Sequence, residues 1–164
     1  MKYEERVPDS LFQTDGHYLG RPADFDDRIV QRRLRLIHQI PGFTGKEYSL
    51  LDIGCGNGAS IIGLSPYMKR CLGIDINDEH MAEFNHFKEK NKIENCEYQV
   101  LDIEKNLPPD TFDRIVSFEV IEHLNQEDGL AFYYKALKNK GKIAISVPNK
   151  WWIFETHGAK LPLL

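Results

Sequence analysis

The chain has 164 residues, 41% hydrophobic and 28% charged, with a formal net charge of -4, the profile of one globular domain with one sizeable core. The mild acidity argues against a broad nucleic-acid or anionic-membrane surface. No apolar run approaches membrane-spanning length, and the charged start MKYEERVPDS has no signal-peptide core. Cys55, Cys71 and Cys96 are odd in number and form no CxxC pair, so reduced thiols in a cytoplasmic protein are expected rather than a zinc site or a disulfide framework.

In chain order, Pro8, Gly16, Gly20 and Pro22 predict an irregular first segment. The acids Asp24, Asp26 and Asp27, followed by Ile29, Val30, Leu34, Ile37 and Ile40 at helical spacing, predict a helix over Asp24–Ile40 that Pro41-Gly42 ends. Arg28, Arg32 and Arg35 form a second stripe, read as a solvated face. YSLLDI then reads as a strand, ASIIGL as a short helix and RCLGIDI as a second strand. NDEHMAEFNHFKEKNK reads as a helix capped by Asn77 or Asp78. CEYQVLDI and FDRIVSFEV are the third and fourth strands, QEDGLAFYYKALKNKG is a helix with Leu130, Tyr133, Tyr134 and Leu137 as its apolar residues, and KIAISVP is the fifth strand. Strands alternating with helices predict an α/β fold with a Rossmann-like, doubly wound, mostly parallel sheet. The expected organisation is an irregular segment and capping helix over 1–45, a ligand-binding α/β domain over 46–150 and an apolar tail over 151–164. Ligands of such sheets bind beyond the carboxyl ends of the strands, where the strand order reverses.

The loop after the first strand is Gly54-Cys55-Gly56-Asn57-Gly58, preceded by Asp52. A dinucleotide loop reads GxGxxG and brings backbone amides to a pyrophosphate. This loop is GxGxG, holds no Lys or Arg, and has a carboxylate at its mouth that repels phosphate and attracts a cation. A nucleoside bearing positive charge is the expected ligand, and S-adenosylmethionine, with an ammonium and a sulfonium on adenosine, fits. Asp75 ends the second strand at the position where an acid accepts from ribose hydroxyls; alone it does not separate NAD from S-adenosylmethionine. Asp102 ends the third, where an acid can accept from the adenine amine while the Ile103 backbone reaches a ring nitrogen. Any one of these acids reads as a helix cap or a solvated strand end, but three on successive strands read as a site.

These residues resemble a class I S-adenosylmethionine-dependent methyltransferase: LDIGCGNG at the first strand, GIDIN at the second, LDIEKNLP at the third, FDRIVSFEVIEHL at the fourth and GKIAISVPN at the fifth, covering roughly Tyr48 to Asn149. The resemblance implies that Gly54 and Gly56 pack against the methionine part with Asp52 near its ammonium, and Cys55 between them is a further cofactor-binding candidate. It implies that Asp75 and Ile76 hold the ribose and adenine edge, that Asp102 and Ile103 hold adenine, and that Phe118 and Glu119 line the methyl-transfer side. At the fourth strand, Ser117-Phe118-Glu119-Val120 departs from the Asn/Asp-Pro-Pro-aromatic motif of base and amide methylators, so DNA is not the expected partner. The chain is similar to small-molecule enzymes, including ubiquinone-biosynthesis O-methyltransferases, and EVIEHL also resembles enzymes that methylate RNA 2′-hydroxyls. In both groups an acid-x-x-acid-His motif is associated with a divalent metal.

The expected function is therefore transfer of a methyl group from S-adenosylmethionine to a small-molecule acceptor, an oxygen first, with Glu119 and His123 as candidate general bases. Alternatives are an RNA 2′-O-methyltransferase, a non-enzymatic cofactor-binding subunit and, more distantly, an NAD-dependent oxidoreductase. Glu119, Glu122 and His123 stand at i, i+3 and i+4; on a helix they would share a face and, with His157, could hold Mg²⁺, Mn²⁺ or Zn²⁺. The bland alternative has Glu119 lining the pocket, Glu122 solvated and His123 capping or packing. Relatives of this class continue past the fifth strand with a helix and an antiparallel hairpin, whereas here 15 residues follow Asn149 (164 − 149). The chain is therefore expected to be incomplete for turnover, and Trp151, Trp152, Phe154, Leu161, Leu163 and Leu164 to drive homo-oligomerisation or to be covered by a partner.

Overall fold

A strand buried on both faces needs an unbroken apolar run, and Leu50-Leu51-Asp52-Ile53 meets that requirement with one exception, the acid. The computed structural model describes residues 13–14, 17–18, 27–124 and 129–147. A short antiparallel pair, β1 (Gln13–Thr14) and β2 (His17–Tyr18), precedes helix α1 (Arg28–Gln39). The remaining elements are β3 (Gly45–Ile53), α2 (Ala59–Leu64), β4 (Met68–Asp75), α3 (Met81–Lys90), β5 (Cys96–Val100), β6 (Phe112–Phe118), α4 (Gly129–Ala136) and β7 (Leu137–Ser146). The five strands β3 to β7 form one sheet in the order β5-β4-β3-β6-β7, every pairing parallel. Strand order reverses between β3 and β6, so the expected doubly wound sheet is present and its crevice opens at the carboxyl ends of those two strands.

Successive residues of β3 serve opposite faces, as the strand period requires. Leu50 packs with Ile37, Ile61, Phe84 and Val116 beneath α1, α2 and α3. Leu51 and Ile53 pack with Ile115, Tyr133 and Ala136 beneath α4. The α1–β3 connection is tied to β6 by Arg114, whose guanidinium donates to the Phe43, Gly42 and Asp113 carbonyls at 2.8, 2.6 and 2.7 Å and lies over the Tyr48 ring.

Several element ends differ from those expected. Helix α1 starts at Arg28 because the Asp27 carboxylate accepts from the Ile29 amide at 2.7 Å, capping it; residues 24–26 lie outside the described set. Val30 and Ile37 are its buried residues, while Ile29 is exposed. Helix α3 has His80, not Asn77 or Asp78, at its N-cap; the Asn77 side chain takes the Glu79 amide and the Asp78 carbonyl takes the Met81 amide, forming a turn before the helix. Helix α4 is shorter than expected, and Leu137 already pairs with Phe112 as strand. The register then shifts before Lys142 meets Arg114, with Lys140 at φ +63°, so the lysines expected at a helix end lie in an irregular part of β7. Tyr133 is buried but Leu130 and Tyr134 are exposed. No helix among the described residues is long and apolar enough to cross a membrane.

Candidate functional site

At the end of β3 the chain must turn sharply to enter α2, and three glycines in the left-handed region make the turn: Gly54, Gly56 and Gly58 at φ +70°, +52° and +80°. The Gly54 and Cys55 amides both donate to the Ile74 carbonyl at 2.9 and 3.0 Å, folding the loop over the end of β4. A Cβ at Gly54 would overlap Val120, and one at Gly58 would overlap the Phe84 ring; one at Gly56 would meet nothing within 4 Å. Gly56 thus presents bare backbone to open space, as a loop built for close approach of a ligand does.

Beneath this loop Asp52 is 2% exposed, and among the described residues its Oδ2 has no hydrogen-bond partner. Burial, with the like charge of Asp75 adding to it and Arg33 opposing it, pushes its carboxyl up to about 8. Asp75, at the end of β4, accepts the Gly56 amide on Oδ2 at 2.8 Å, fixing the loop to the second acid. Ile76 beside it is 66% exposed, an apolar side chain at the rim. Asp102, beyond β5, caps its turn by accepting the Glu104 amide at 3.0 Å and pairs with Lys105 at 2.8 Å; the bond from Lys105 leads the effects that hold its carboxyl below the usual range. The Ile103 side chain is core and leaves only its backbone for a ligand. The Cys55 thiol is likewise buried, in the space that the missing side chain of Gly73 leaves, and burial raises it well above its usual value.

On the other side of the crevice, β6 is anchored by Ser117, which donates to the Ile53 carbonyl at 3.1 Å and shares a 2.7 Å bond with the Tyr133 hydroxyl. Phe118 packs partly buried against the core. Glu119 adopts φ +59°, a conformation that non-glycine residues hold only when neighbours enforce it. Here Ser146 enforces it: its carbonyl takes the Glu119 amide at 3.0 Å and its hydroxyl donates to Glu119 Oε1 at 2.7 Å.

The left-handed residue also ends any helix at that point. Ile121–His123 is one 3-10 turn, so the expected helical face of Glu119, Glu122 and His123 does not form. His123 Nε2 lies 3.9 Å from Glu122 Oε1, while Glu119 is turned to Ser146. Among the described residues no group of three or more His, Cys, Asp or Glu side chains is placed to hold a metal ion; His157 and the apolar tail lie outside them.

The sequence reading missed Arg33. It falls three residues after Val30 and four before Ile37, on the buried face of α1 rather than on the Arg28, Arg32, Arg35 stripe, and that placement was the available signal. Its guanidinium lies 4.9 Å from the centroid of the Phe118 ring. Burial pulls it below its usual value against the opposing fields of Glu119, Asp52 and Asp27, which places a half-buried cation at the crevice.

A parallel sheet with a glycine turn and acids at consecutive strand ends, bordered by the half-buried Arg33, defines an α/β protein with a ligand crevice at the carboxyl ends of its strands. Residues 51–145 match the family described as methyltransferase domain, and the chain belongs to it. It is 30% identical over 122 residues to a ubiquinone biosynthesis O-methyltransferase of Pelagibacter ubique, a match covering 70% of this chain and 49% of that protein. The fold superposes on coclaurine N-methyltransferase bound to N-methylheliamine and SAH with a TM-score of 0.65 at 21% identity, covering 73% of this chain and 35% of the other. It superposes on geranyl diphosphate C-methyltransferase from Streptomyces coelicolor, in complex with Mg²⁺, geranyl diphosphate and S-adenosyl-L-homocysteine, with a TM-score of 0.64 at 18% identity, covering 72% and 45%. The match spans about a third to a half of the length of the curated relatives.

Proposed function

We propose that this chain carries the cofactor site of an S-adenosylmethionine-dependent methyltransferase acting on a small molecule, with an oxygen the favoured acceptor. The observation behind it is the buried Asp52 carboxyl with an open oxygen under a glycine loop whose Gly56 faces free space. The residues fit the ligand. Asp52 faces the ammonium, and Arg33 is placed for the carboxylate of the same amino-acid portion. Asp75, with Oδ2 on the Gly56 amide, keeps Oδ1 for a ribose hydroxyl. Ile76 covers one face of the adenine, while Asp102 and the Ile103 backbone serve its edge. When bound, the cofactor supplies an electrophilic methyl group. The chain's own part is then alignment and exclusion of water. Glu119, held by Ser146, lines the acceptor side and is the first candidate to take an acceptor proton, with His123 the second. The oxygen preference draws on the similarity to ubiquinone biosynthesis O-methyltransferases.

Calorimetric titration with S-adenosylhomocysteine tests the site. Asp75→Ala is expected to weaken binding by about 1.5–3 kcal/mol, the usual loss for a hydrogen bond involving a charged group. No binding to the wild type, or equal affinity in the variant, rejects the site. Arg33→Ala is expected to weaken S-adenosylhomocysteine by about tenfold or more while leaving methylthioadenosine, which lacks the amino-acid portion, unaffected. Equal losses for both ligands would show that Arg33 supports the fold rather than the carboxylate.

A further inference from the structure

Asp52 poses a problem that the cofactor site alone does not resolve. It lies in the middle of the sheet, 2% exposed, with Oδ2 unpartnered among the described residues. In a carboxylate there, Oδ2 would forgo both water and a hydrogen bond, a costly state for a charged oxygen. Among the described residues its surroundings do not neutralise it. Arg33 of α1 is the opposing charge, but it is shared with Glu119 and Asp27 and lies over Phe118. Asp75 of β4 is a like charge, already committed to the Gly56 amide. Among the described residues, other titratable groups that feel Asp52 are the Cys55 thiol on the loop, Tyr133 on α4, whose hydroxyl is bonded to Ser117, and the thiols of Cys71 on β4 and Cys96 on β5. None supplies a positive charge.

Building on the cofactor site proposed above, we infer that Asp52 is a proton-exchanging specificity residue: it is a neutral carboxylic acid in the ligand-free protein and loses its proton to solvent when the cofactor's ammonium arrives. The step balances as carboxylic acid plus ammonium ligand giving a carboxylate–ammonium pair plus one H⁺ in bulk water. No bond other than the acid O–H breaks, and nothing is oxidised or reduced. A neutral acid removes the orphan-charge cost from the empty site, and the incoming cation supplies the partner that makes ionisation favourable. Burial, the leading cause, already lifts this carboxyl to about 8 before a ligand arrives. The device also selects. A nucleoside without the ammonium meets a neutral acid that it cannot ionise and gains no ion pair, so Asp52 discriminates for the charged amino-acid end.

Linkage makes the inference quantitative. If binding releases one proton, apparent affinity rises about tenfold per pH unit below the free-protein pKa and levels off above it. The ligand's own ammonium contributes an opposing slope at high pH, which the difference between wild type and Asp52→Asn removes. The experiment is titration of S-adenosylhomocysteine at pH 7 in phosphate and in Tris, whose ionisation heats differ, with affinities also measured at pH 6. The expected result is close to one proton released per ligand in wild type beyond that released in Asp52→Asn, and an affinity gain of nearly tenfold from pH 6 to 7 that the variant lacks. Should the variant bind too weakly to titrate, infrared difference spectra of wild type labelled with ¹³C-aspartate serve instead. A carboxylic-acid C=O band present at pH 7 should vanish on adding S-adenosylhomocysteine. Binding with no proton released, or no acid band in the free protein, overturns the inference while leaving the cofactor site standing. No binding of S-adenosylhomocysteine at all overturns both.

Discussion

Gly54→Ala is expected to cost about 2–4 kcal/mol of stability, whereas Gly56→Ala, two residues away in the same loop, is expected to cost about 1 kcal/mol but to lose most of the cofactor affinity. Both positions hold positive φ, +70° and +52°, and an alanine pays roughly 1–2 kcal/mol for that conformation. Only Gly54 pays a second term. Its new Cβ would overlap the Val120 side chain, with Val120 Cγ1 and Cβ within 3.2 and 3.3 Å. Val120 has little room to move, because it is partly buried against the core cluster that holds Ile53, Ile74 and Ile103. Overpacking of that kind costs about 1–3 kcal/mol. At Gly56 the Cβ enters open space, which in the proposed complex is the space of the ligand. Urea unfolding and S-adenosylhomocysteine titration of the two variants separate the effects. If Gly56→Ala binds like wild type, the open space over the loop is not the cofactor site; if both variants unfold alike, the Val120 contact is not the constraint on Gly54.

How much of this was legible follows from which interactions are local. The sheet was legible because each parallel strand, covered on two faces, must be a nearly continuous apolar run, and Leu50 to Ile53, interrupted only by Asp52, and Cys71 to Ile74 are such runs. The candidate site was legible where it depends on position along a strand: Asp52, Asp75 and Asp102 stand out because charge belongs at a strand's end, and the loop because GxGxG is contiguous. What failed depends on contacts between distant segments. Arg33 reaches the crevice only once α1 packs on β3 and β6, and a periodicity search discards one arginine among four on that helix. The Glu119-Glu122-His123 spacing carried meaning only if a helix followed β6. The bonds from Ser146, 27 residues on, instead hold Glu119 in a left-handed turn. The end of α4 was misplaced for a similar reason: KALKNKG has the composition of a helix end, but pairing of Leu137 with Phe112 and of Lys142 with Arg114 takes those residues into β7.

The ligand-free protein should become less stable as pH rises from 5 to 8, and Asp52→Asn should remove most of that loss. In the unfolded chain an aspartate titrates near 3.9, so across this window it is ionised. In the native protein Asp52 titrates at about 8, principally because of burial, so it still holds its proton. The folded state therefore binds more protons than the unfolded one, and unfolding free energy falls by about 1.4 kcal/mol per pH unit, roughly 4 kcal/mol over the three units. Because the native pKa is raised, the contribution is fully present below the unfolded value and is lost as pH climbs through the native one. An asparagine keeps the shape and removes the titration. Urea unfolding of wild type and Asp52→Asn at pH 5 and pH 8 measures the difference, in which the other titrating groups cancel. The wild type should lose about 4 kcal/mol more than the variant; a difference that does not change with pH would mean that Asp52 is ionised throughout. The same linkage fixes the effect of a ligand. A species that binds only the native state stabilises it in proportion to the logarithm of its occupancy ratio, and S-adenosylhomocysteine should bind more tightly at pH 8 than at pH 5. Its thermal shift should therefore be larger at the pH where the empty site is least stable, because the cation it brings satisfies the carboxylate that destabilises the fold without it.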